Sequence, residues 1–78
     1  MNEKLRMMME PKPGETGRWI LLSEQKPPKY GEYEVIRRTR SRELNYDLYL
    51  WNGDYFVTKG HSPSTAVEAW YKEGNLDG

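Results

Sequence analysis

An Asn-Gly dipeptide at positions 52 and 53 lies between two runs rich in aromatic and β-branched residues, over 44–51 and 54–59. This pattern is the strongest short-range signal for a β-hairpin, because both central residues of a two-residue turn take positive φ. Counting outward from the turn predicts that Tyr49 lies opposite Phe56. One predicted face then carries Tyr49, Trp51 and Phe56, and the other carries Leu48, Leu50, Tyr55 and Val57. Because both faces are apolar, residues 1–10, the first predicted strand (residues 19–22) or another chain must cover one of them.

Three further segments have the character of strands. Residues 19–22 and 66–71 are short apolar runs, and residues 32–39 alternate between two faces. Residues 23–31 contain two prolines, which lack a ladder donor, so this stretch is predicted to be a surface loop. The sequence therefore predicts a mainly β fold, a small antiparallel sheet of about five short strands with flexible N- and C-terminal tails.

Domain boundaries follow from the same reading. Residues 1–17 are predicted to be a flexible segment and linker, residues 18–72 the β domain, and residues 73–78 a frayed tail. Residues 1–10 could form one or two helical turns, with Asn2 as N-cap, but so short a helix frays unless it docks on the sheet. Removal of residues 1–16 is accordingly expected to leave the fold intact.

Composition limits the classes of protein available. Seventy-eight residues allow one domain, and a mean hydropathy of -1.00 with three Trp and six Tyr predicts an aromatic core. Twelve basic residues balance twelve acidic ones, which argues against attraction to DNA or membranes by overall charge. The chain has no cysteine and no apolar run long enough for a signal peptide or membrane span, so a cytoplasmic protein without membrane contact is expected.

A cluster of arginines supplies the main candidate site. Its charges could neutralise phosphates while aromatic side chains of the hairpin stack on unpaired bases, as in a single-strand binder. The alternative is a solvated turn that keeps a sheet edge soluble, since glutamates lie nearby and alternation sends Arg37 and Arg38 to opposite faces. The candidate binding residues are Arg37, Arg38, Arg40, Arg42, Tyr49, Trp51 and Phe56.

Catalysis and metal binding have little support in the sequence. His61 is the single histidine and has no cysteine or second histidine beside it, so no metal site is predicted. Ser62 and Ser64 lie close to His61 in a loop that lacks an orienting third group, and Ser23 fits a turn role better than a catalytic one. We therefore expect no enzymatic activity, no cofactor and no metal.

A family resemblance adds to this reading. The stretches WILLSEQKPPKYGEYEVI (19–36), YLWNGDYF (49–56) and VEAW (67–70) resemble a family of short phage and bacterial proteins of unknown function. That family has a Trp-Ile-x-x-Ser-Glu/Asp-x-x-Pro opening and a closing Val-x-x-Trp. It usually continues with a proline-rich stretch, whereas this chain continues Tyr-Lys-Glu-Gly. The resemblance implies a compact β domain in a phage or prophage setting, and it transfers no catalytic residue.

Together these observations predict a phage- or prophage-type accessory protein that acts by contact with an unknown protein partner. The alternative is a weak single-stranded nucleic-acid-binding module that uses the arginines of residues 37–42 and the aromatic hairpin. The free protein is expected to be a monomer or a weak homodimer.

Overall fold

The structure of the chain, a computed structural model, describes residues 3–10 and 13–74. In this part of the chain there are one short helix and a single antiparallel sheet of six strands. The elements are α1 (Glu3–Met8), β1 (Arg18–Leu21), β2 (Gly31–Arg38), β3 (Leu44–Trp51), β4 (Phe56–Val57), β5 (Pro63–Ser64) and β6 (Val67–Lys72). The predicted small, mainly β antiparallel fold is confirmed, and β5 adds a short strand within residues expected to form a loop.

Strand order across the sheet is β1-β6-β2-β3-β4-β5. The longest pairing joins β2 and β3 along eight residues each, from Gly31 opposite Trp51 to Arg38 opposite Leu44. The last strand, β6, lies between β1 and β2, so the chain between β1 and β2 must pass over a neighbouring strand. No helix among the described residues has the length and apolar character needed to cross a membrane.

One side of the sheet, here called the loop face, carries the larger of two buried clusters. The connection from β1 to β2 crosses it, because the Trp70 Nε1–H donates to the Gln25 carbonyl at 2.8 Å and the Tyr33 hydroxyl to the Lys29 carbonyl at 3.0 Å. Pro27 is buried in this connection. The proline-rich stretch predicted as a surface loop therefore also covers the buried cluster of the loop face. The cluster comprises Ile20, Tyr33, Val35, Tyr49, Trp51, Phe56, Val67 and Trp70.

The opposite side, the helix face, is covered in part by α1. Leu5 is 3% exposed and packs with Ile36, Leu44 and Ala69. Since every third or fourth residue of a helix shares a face, Leu5 and Met8 can both reach the sheet. The short helix that the sequence allowed is therefore docked, and the segment predicted to be flexible contributes a core side chain. Its predicted N-cap, at position 2, lies outside the described residues, as do positions 75–78 of the predicted frayed tail.

The hairpin around Asn52 has a different register from the predicted one. Trp51 lies opposite Phe56, so the expected pairing of Tyr49 with Phe56 is wrong by two positions. The Asn52 side-chain oxygen accepts the backbone N–H groups of Asp54 and Tyr55, both at 2.9 Å, and this closes a four-residue loop instead of a two-residue turn. Because the error is two positions and side chains alternate with a period of two, the predicted division of the hairpin strands into faces is retained.

Candidate functional site

The three aromatic residues predicted to stack on bases belong to the core. Tyr49, Trp51 and Phe56 are 8%, 3% and 1% exposed and lie on the loop face. The ring centroids of Trp51 and Phe56 are 5.0 Å apart in an edge-on arrangement, and Tyr33 packs against Phe56 at 6.4 Å. As the structure places them, these rings are not available for stacking on bases.

The two arginines within β2 point to opposite faces, as the alternation predicted, and each contacts a carboxylate. The Arg37 Nε lies 2.8 Å from the Asp47 Oδ2 on the neighbouring strand, and the Arg38 Nε lies 3.5 Å from the Glu68 Oε2. The side chains of both pairs are partly buried. The charges of Arg37 and Arg38 are thus largely engaged within the sheet and are poorly placed to hold phosphates.

Asp47 is held in its charged form by its surroundings. Burial alone would raise the pKa of this carboxyl, but the backbone N–H of Leu48 and the Arg37 side chain both donate to it. The positive charges of Arg37 and Lys59 act in the same direction. The net result is a pKa below the ordinary value of 3.8.

This lowered pKa predicts how stability depends on pH. A carboxyl whose folded pKa is depressed stabilises the fold above its unfolded pKa and loses that contribution as pH falls through the folded pKa. We expect Asp47→Asn to lower the free energy of unfolding by about 1 kcal/mol at pH 7 and by less at a pH well below 3.8. Urea denaturation at both pH values measures this difference. Asp54→Asn, in the exposed loop, is the control, and an equal loss for both variants at pH 7 would contradict the assignment.

The remaining arginines lie in the turn between β2 and β3. The Thr39 N–H donates to the Glu43 carbonyl at 2.7 Å, the Arg42 N–H donates to the Thr39 carbonyl at 2.9 Å, and the Glu43 N–H donates to the Thr39 Oγ1 at 3.1 Å. Arg42 takes a φ of 67°, a left-handed conformation that is uncommon for residues other than glycine. Arg40 and Arg42 are both exposed. Residues 39–43 are called the first basic turn.

A second turn, between β4 and β5, repeats this geometry. The Thr58 N–H donates to the Ser62 carbonyl at 2.8 Å, the His61 N–H donates to the Thr58 carbonyl at 2.9 Å, and the Ser62 N–H donates to the Thr58 Oγ1 at 3.3 Å. His61 has a φ of 65°, and it shares this left-handed conformation with Arg42 alone among the non-glycine residues of 3–10 and 13–74. Residues 58–62 are called the second basic turn.

The match between the two turns was not detected in the sequence, although the signal is present. TRSRE and TKGHS both begin with threonine and carry basic side chains at the second and fourth positions. The threonine determines the shared turn structure, because its hydroxyl accepts the N–H of the fifth residue in both turns. Lys59 and His61 therefore take the same places in their turn as Arg40 and Arg42 do in theirs.

A shallow cavity of about 260 Å³ lies on the part of the helix face that α1 does not cover. Its apolar floor is formed by neighbouring strands, since Leu50 of β3 pairs with Val57 of β4. Leu48 is 39% exposed there, and Lys59 and His61 of the second basic turn stand at its border. The cavity is lined by Glu32, Leu48, Leu50, Val57, Thr58, Lys59 and His61. This is the hairpin face that the sequence left open for another element or another chain.

The structure places the histidine and serines that the sequence raised as candidates for metal binding or catalysis in turns, loops and the short strand β5. Across residues 3–10 and 13–74, no three His, Asp or Glu side chains come together in a way that could hold a metal ion. Ser62 contributes its backbone to the second basic turn, while the Ser64 Oγ accepts the Ala66 N–H at 3.4 Å. Ser23 lies in the turn that follows β1. The fold instead offers an apolar cavity bordered by Glu32, Lys59 and His61.

Comparison of the chain with known protein families, curated proteins and solved structures found no match.

Proposed function

We propose that this chain is a phage- or prophage-type accessory protein that acts by binding another protein through the cavity on the helix face. The observation that carries the proposal is the exposure of Leu48 above an apolar floor of Leu50 and Val57. The phage setting derives from the resemblance noted in the sequence. A cytoplasmic location, and a monomer or weak homodimer as the free state, belong to the same proposal.

Exposed apolar side chains extend along β3 beside the cavity. Tyr46 and Leu48 are 49% and 39% exposed and, being two positions apart, share the helix face. The Tyr46 hydroxyl donates to the Met8 carbonyl at 2.9 Å, which links the exposed side chains of β3 to the end of α1. Contiguous apolar surface of this kind marks contact sites, because its removal from water favours association. The proposal assigns no reaction to the protein.

Binding of single-stranded nucleic acid is less well supported. Arg40 and Arg42 are exposed and available to such a site. The rings that would have supplied stacking, those of Tyr49, Trp51 and Phe56, are buried. Base stacking carries much of the affinity of proteins that bind single strands, so a site without it would depend on a few phosphate contacts.

A charge-neutral substitution in the cavity tests the proposed contact. Leu48→Ser removes the exposed apolar side chain and is expected to change the free energy of unfolding by less than about 0.5 kcal/mol, as for other surface positions. Immobilised wild-type protein should retain a defined protein from a lysate of the native host, and the variant should retain at least about tenfold less of it, a 1.4 kcal/mol loss of binding.

The matched control is Tyr30→Ser, since Tyr30 is 70% exposed in the connection between β1 and β2 and is not among the residues that line the cavity. This variant should retain the same protein as wild type. Equal retention by wild type and Leu48→Ser would contradict the proposed contact surface.

A further inference from the structure

We propose that two copies of this chain associate through β1, the outer strand at one edge of the sheet, so that their two sheets join into one. This contact surface is separate from the cavity of the proposed function, because β6 and β2 lie between β1 and the strands β3 and β4. The proposal derives from the unpaired backbone of β1 and from the charges that line the groove beside it.

One side of the β1 backbone has no strand beside it. The Leu22 N–H, just after β1, donates to the Glu68 carbonyl of β6 at 3.0 Å. Because the backbone groups of successive strand residues point to alternate sides, Ile20 also directs its N–H and carbonyl toward β6. Trp19 and Leu21 therefore direct theirs away from the sheet.

These outward groups are available to a further strand. Across residues 3–10 and 13–74, the N–H groups of Trp19 and Leu21 and the carbonyl of Trp19 have no hydrogen-bond partner. The Leu21 carbonyl is already engaged, since it accepts the N–H groups of Glu24 and Gln25 at 3.0 and 3.1 Å. A row of unpaired backbone groups at a sheet edge is a template for pairing with another chain.

The two edges of the sheet differ in how they are protected. The β5 edge consists of Pro63 and Ser64, and proline has no N–H to donate to a further strand. The β1 edge has four residues, RWIL, with no proline or lysine, and its pairing with β6 has no register shift. The sheet can therefore be extended at β1 more readily than at β5.

A groove of about 280 Å³ follows this edge and is lined by all four residues of β1. Two charged side chains line it, Arg18 at the start of β1 and Glu24 in the turn after it, and both are exposed. Arg18 shares the loop face with Ile20, two positions away, and Glu24 begins the connection that crosses the same face. The groove thus carries opposite charges at its two ends, on one face.

Pairing of β1 with a second β1 makes these charges complementary. In an antiparallel pair related by a two-fold axis, the start of each strand lies beside the end of the other. Arg18 of each copy then faces Glu24 of the other, and the arrangement occurs twice in the dimer. An axis at Ile20 also sets the Leu21 N–H of each copy opposite the Trp19 carbonyl of the other. Parallel pairing would bring like charges together, which is unfavourable.

Other charges near β1 do not line the groove. Lys72 lies opposite Arg18 on β6 and adds positive charge at the same end. Glu15 and Glu73 line a different cavity, which shares no residue with the groove. Lys26 is exposed further along the connection to β2. The order of charges along the groove itself is therefore the one that a second copy complements.

Sedimentation equilibrium of the full chain tests the proposal. The contact involves four residues of each copy, so we expect a weak dimer with a dissociation constant of about 100 µM. Arg18→Glu and Glu24→Arg should each weaken association at least tenfold, because each places like charges across the axis. The double variant Arg18→Glu/Glu24→Arg should return to within about threefold of wild type. An equimolar mixture of the two single variants should associate although neither does alone.

The matched control is Arg40→Glu, which makes the same change of charge in the exposed first basic turn and should associate as wild type does. Unchanged unfolding midpoints of all variants establish that the fold is kept. Amide hydrogen exchange at Trp19 and Leu21 should slow as the protein concentration rises through the dissociation constant.

Wild-type protein that stays monomeric well above this concentration would overturn the proposal and leave the proposed function standing. A dimer whose formation leaves the exchange of Trp19 and Leu21 unchanged, or in which the double variant does not recover, would place the contact elsewhere. A dimer weakened by Leu48→Ser and not by the charge variants would assign it to the cavity and overturn the role of β1.

Discussion

Trp70→Ala is expected to lower the free energy of unfolding by about 3–5 kcal/mol, the usual range for removal of a large buried aromatic side chain. Trp70 is 0% exposed, and its ring lies edge-on to that of Tyr33 at a centroid distance of 5.4 Å. The same side chain holds the Gln25 carbonyl at 2.8 Å and so attaches the connection between β1 and β2 to the sheet. In a domain whose total stability is of the order of 5–15 kcal/mol, this loss leaves a large unfolded fraction. Urea denaturation followed by circular dichroism measures it.

Trp70→Phe separates the two contributions of this side chain. Phenylalanine keeps an aromatic ring in the core but cannot donate to the Gln25 carbonyl, so the expected loss is about 1–3 kcal/mol. Amide hydrogen exchange in residues 22–30 should accelerate more than exchange in β3, because the loop loses its attachment while the central strand keeps its pairing. A Trp70→Ala variant within 1 kcal/mol of wild type would show that the loop face is not packed as described.

Leu5→Asp is expected to detach α1 from the sheet and to lower the free energy of unfolding by about 1.5–3 kcal/mol, the range for full burial of a leucine side chain. The helix has six residues and cannot persist alone, so its placement depends on burial of Leu5 against Ile36, Leu44 and Ala69. Chemical denaturation gives the stability loss, and binding of a hydrophobic dye should increase as that patch becomes exposed.

Met7→Asp is the control on the same helix, because Met7 is 65% exposed and its replacement should change stability by less than about 0.5 kcal/mol. Equal effects of the two substitutions, or an unchanged stability after deletion of residues 1–10, would contradict docking. Residues 1–17 would then be the flexible segment that the sequence pattern suggested. On the structure, deletion of the segment is expected to expose Ile36 and Leu44, in contrast to the tolerance expected from the sequence.

Local sequence pattern predicts most of the strands. The features of the sheet that it does not predict depend on a side-chain hydrogen bond or on pairing between distant segments. Strict alternation located β2, and the aromatic runs located β3 and β6, because side chains alternate across a sheet wherever it occurs. The hairpin register was missed because it depends on two hydrogen bonds from the Asn52 side chain. Nothing local could show that β6 inserts between β1 and β2, and so nothing could show that residues 22–30 cross the loop face.

The candidate site was only partly accessible to sequence reasoning for the same reason. Both faces of the hairpin are apolar, so the sequence did not decide whether Trp51 and Phe56 or Leu48 and Leu50 would be exposed. The path of residues 22–30 decides which of these side chains are buried, because this connection crosses the face that carries Trp51 and Phe56. The first basic turn is visible in the sequence as a cluster of charges. The second basic turn has fewer charges, and its relation to the first lies in the backbone geometry, which the sequence does not display.

The central position of β6 has a consequence for the order in which the molecule can form. Ile20 pairs with Trp70 and Val35 also pairs with Trp70, so the middle of the sheet is assembled from segments 50 and 35 positions apart in the chain. During synthesis, β1 has no neighbour until the last strand has left the ribosome, and β2 has only β3. The β2–β3 hairpin is therefore the part able to form first, and closure by β6 is a late step with a large loop-closure entropy. A nascent chain stopped before residue 67 leaves the backbone donors and acceptors of β1 and of one edge of β2 unpaired, which makes premature termination an aggregation hazard for this protein.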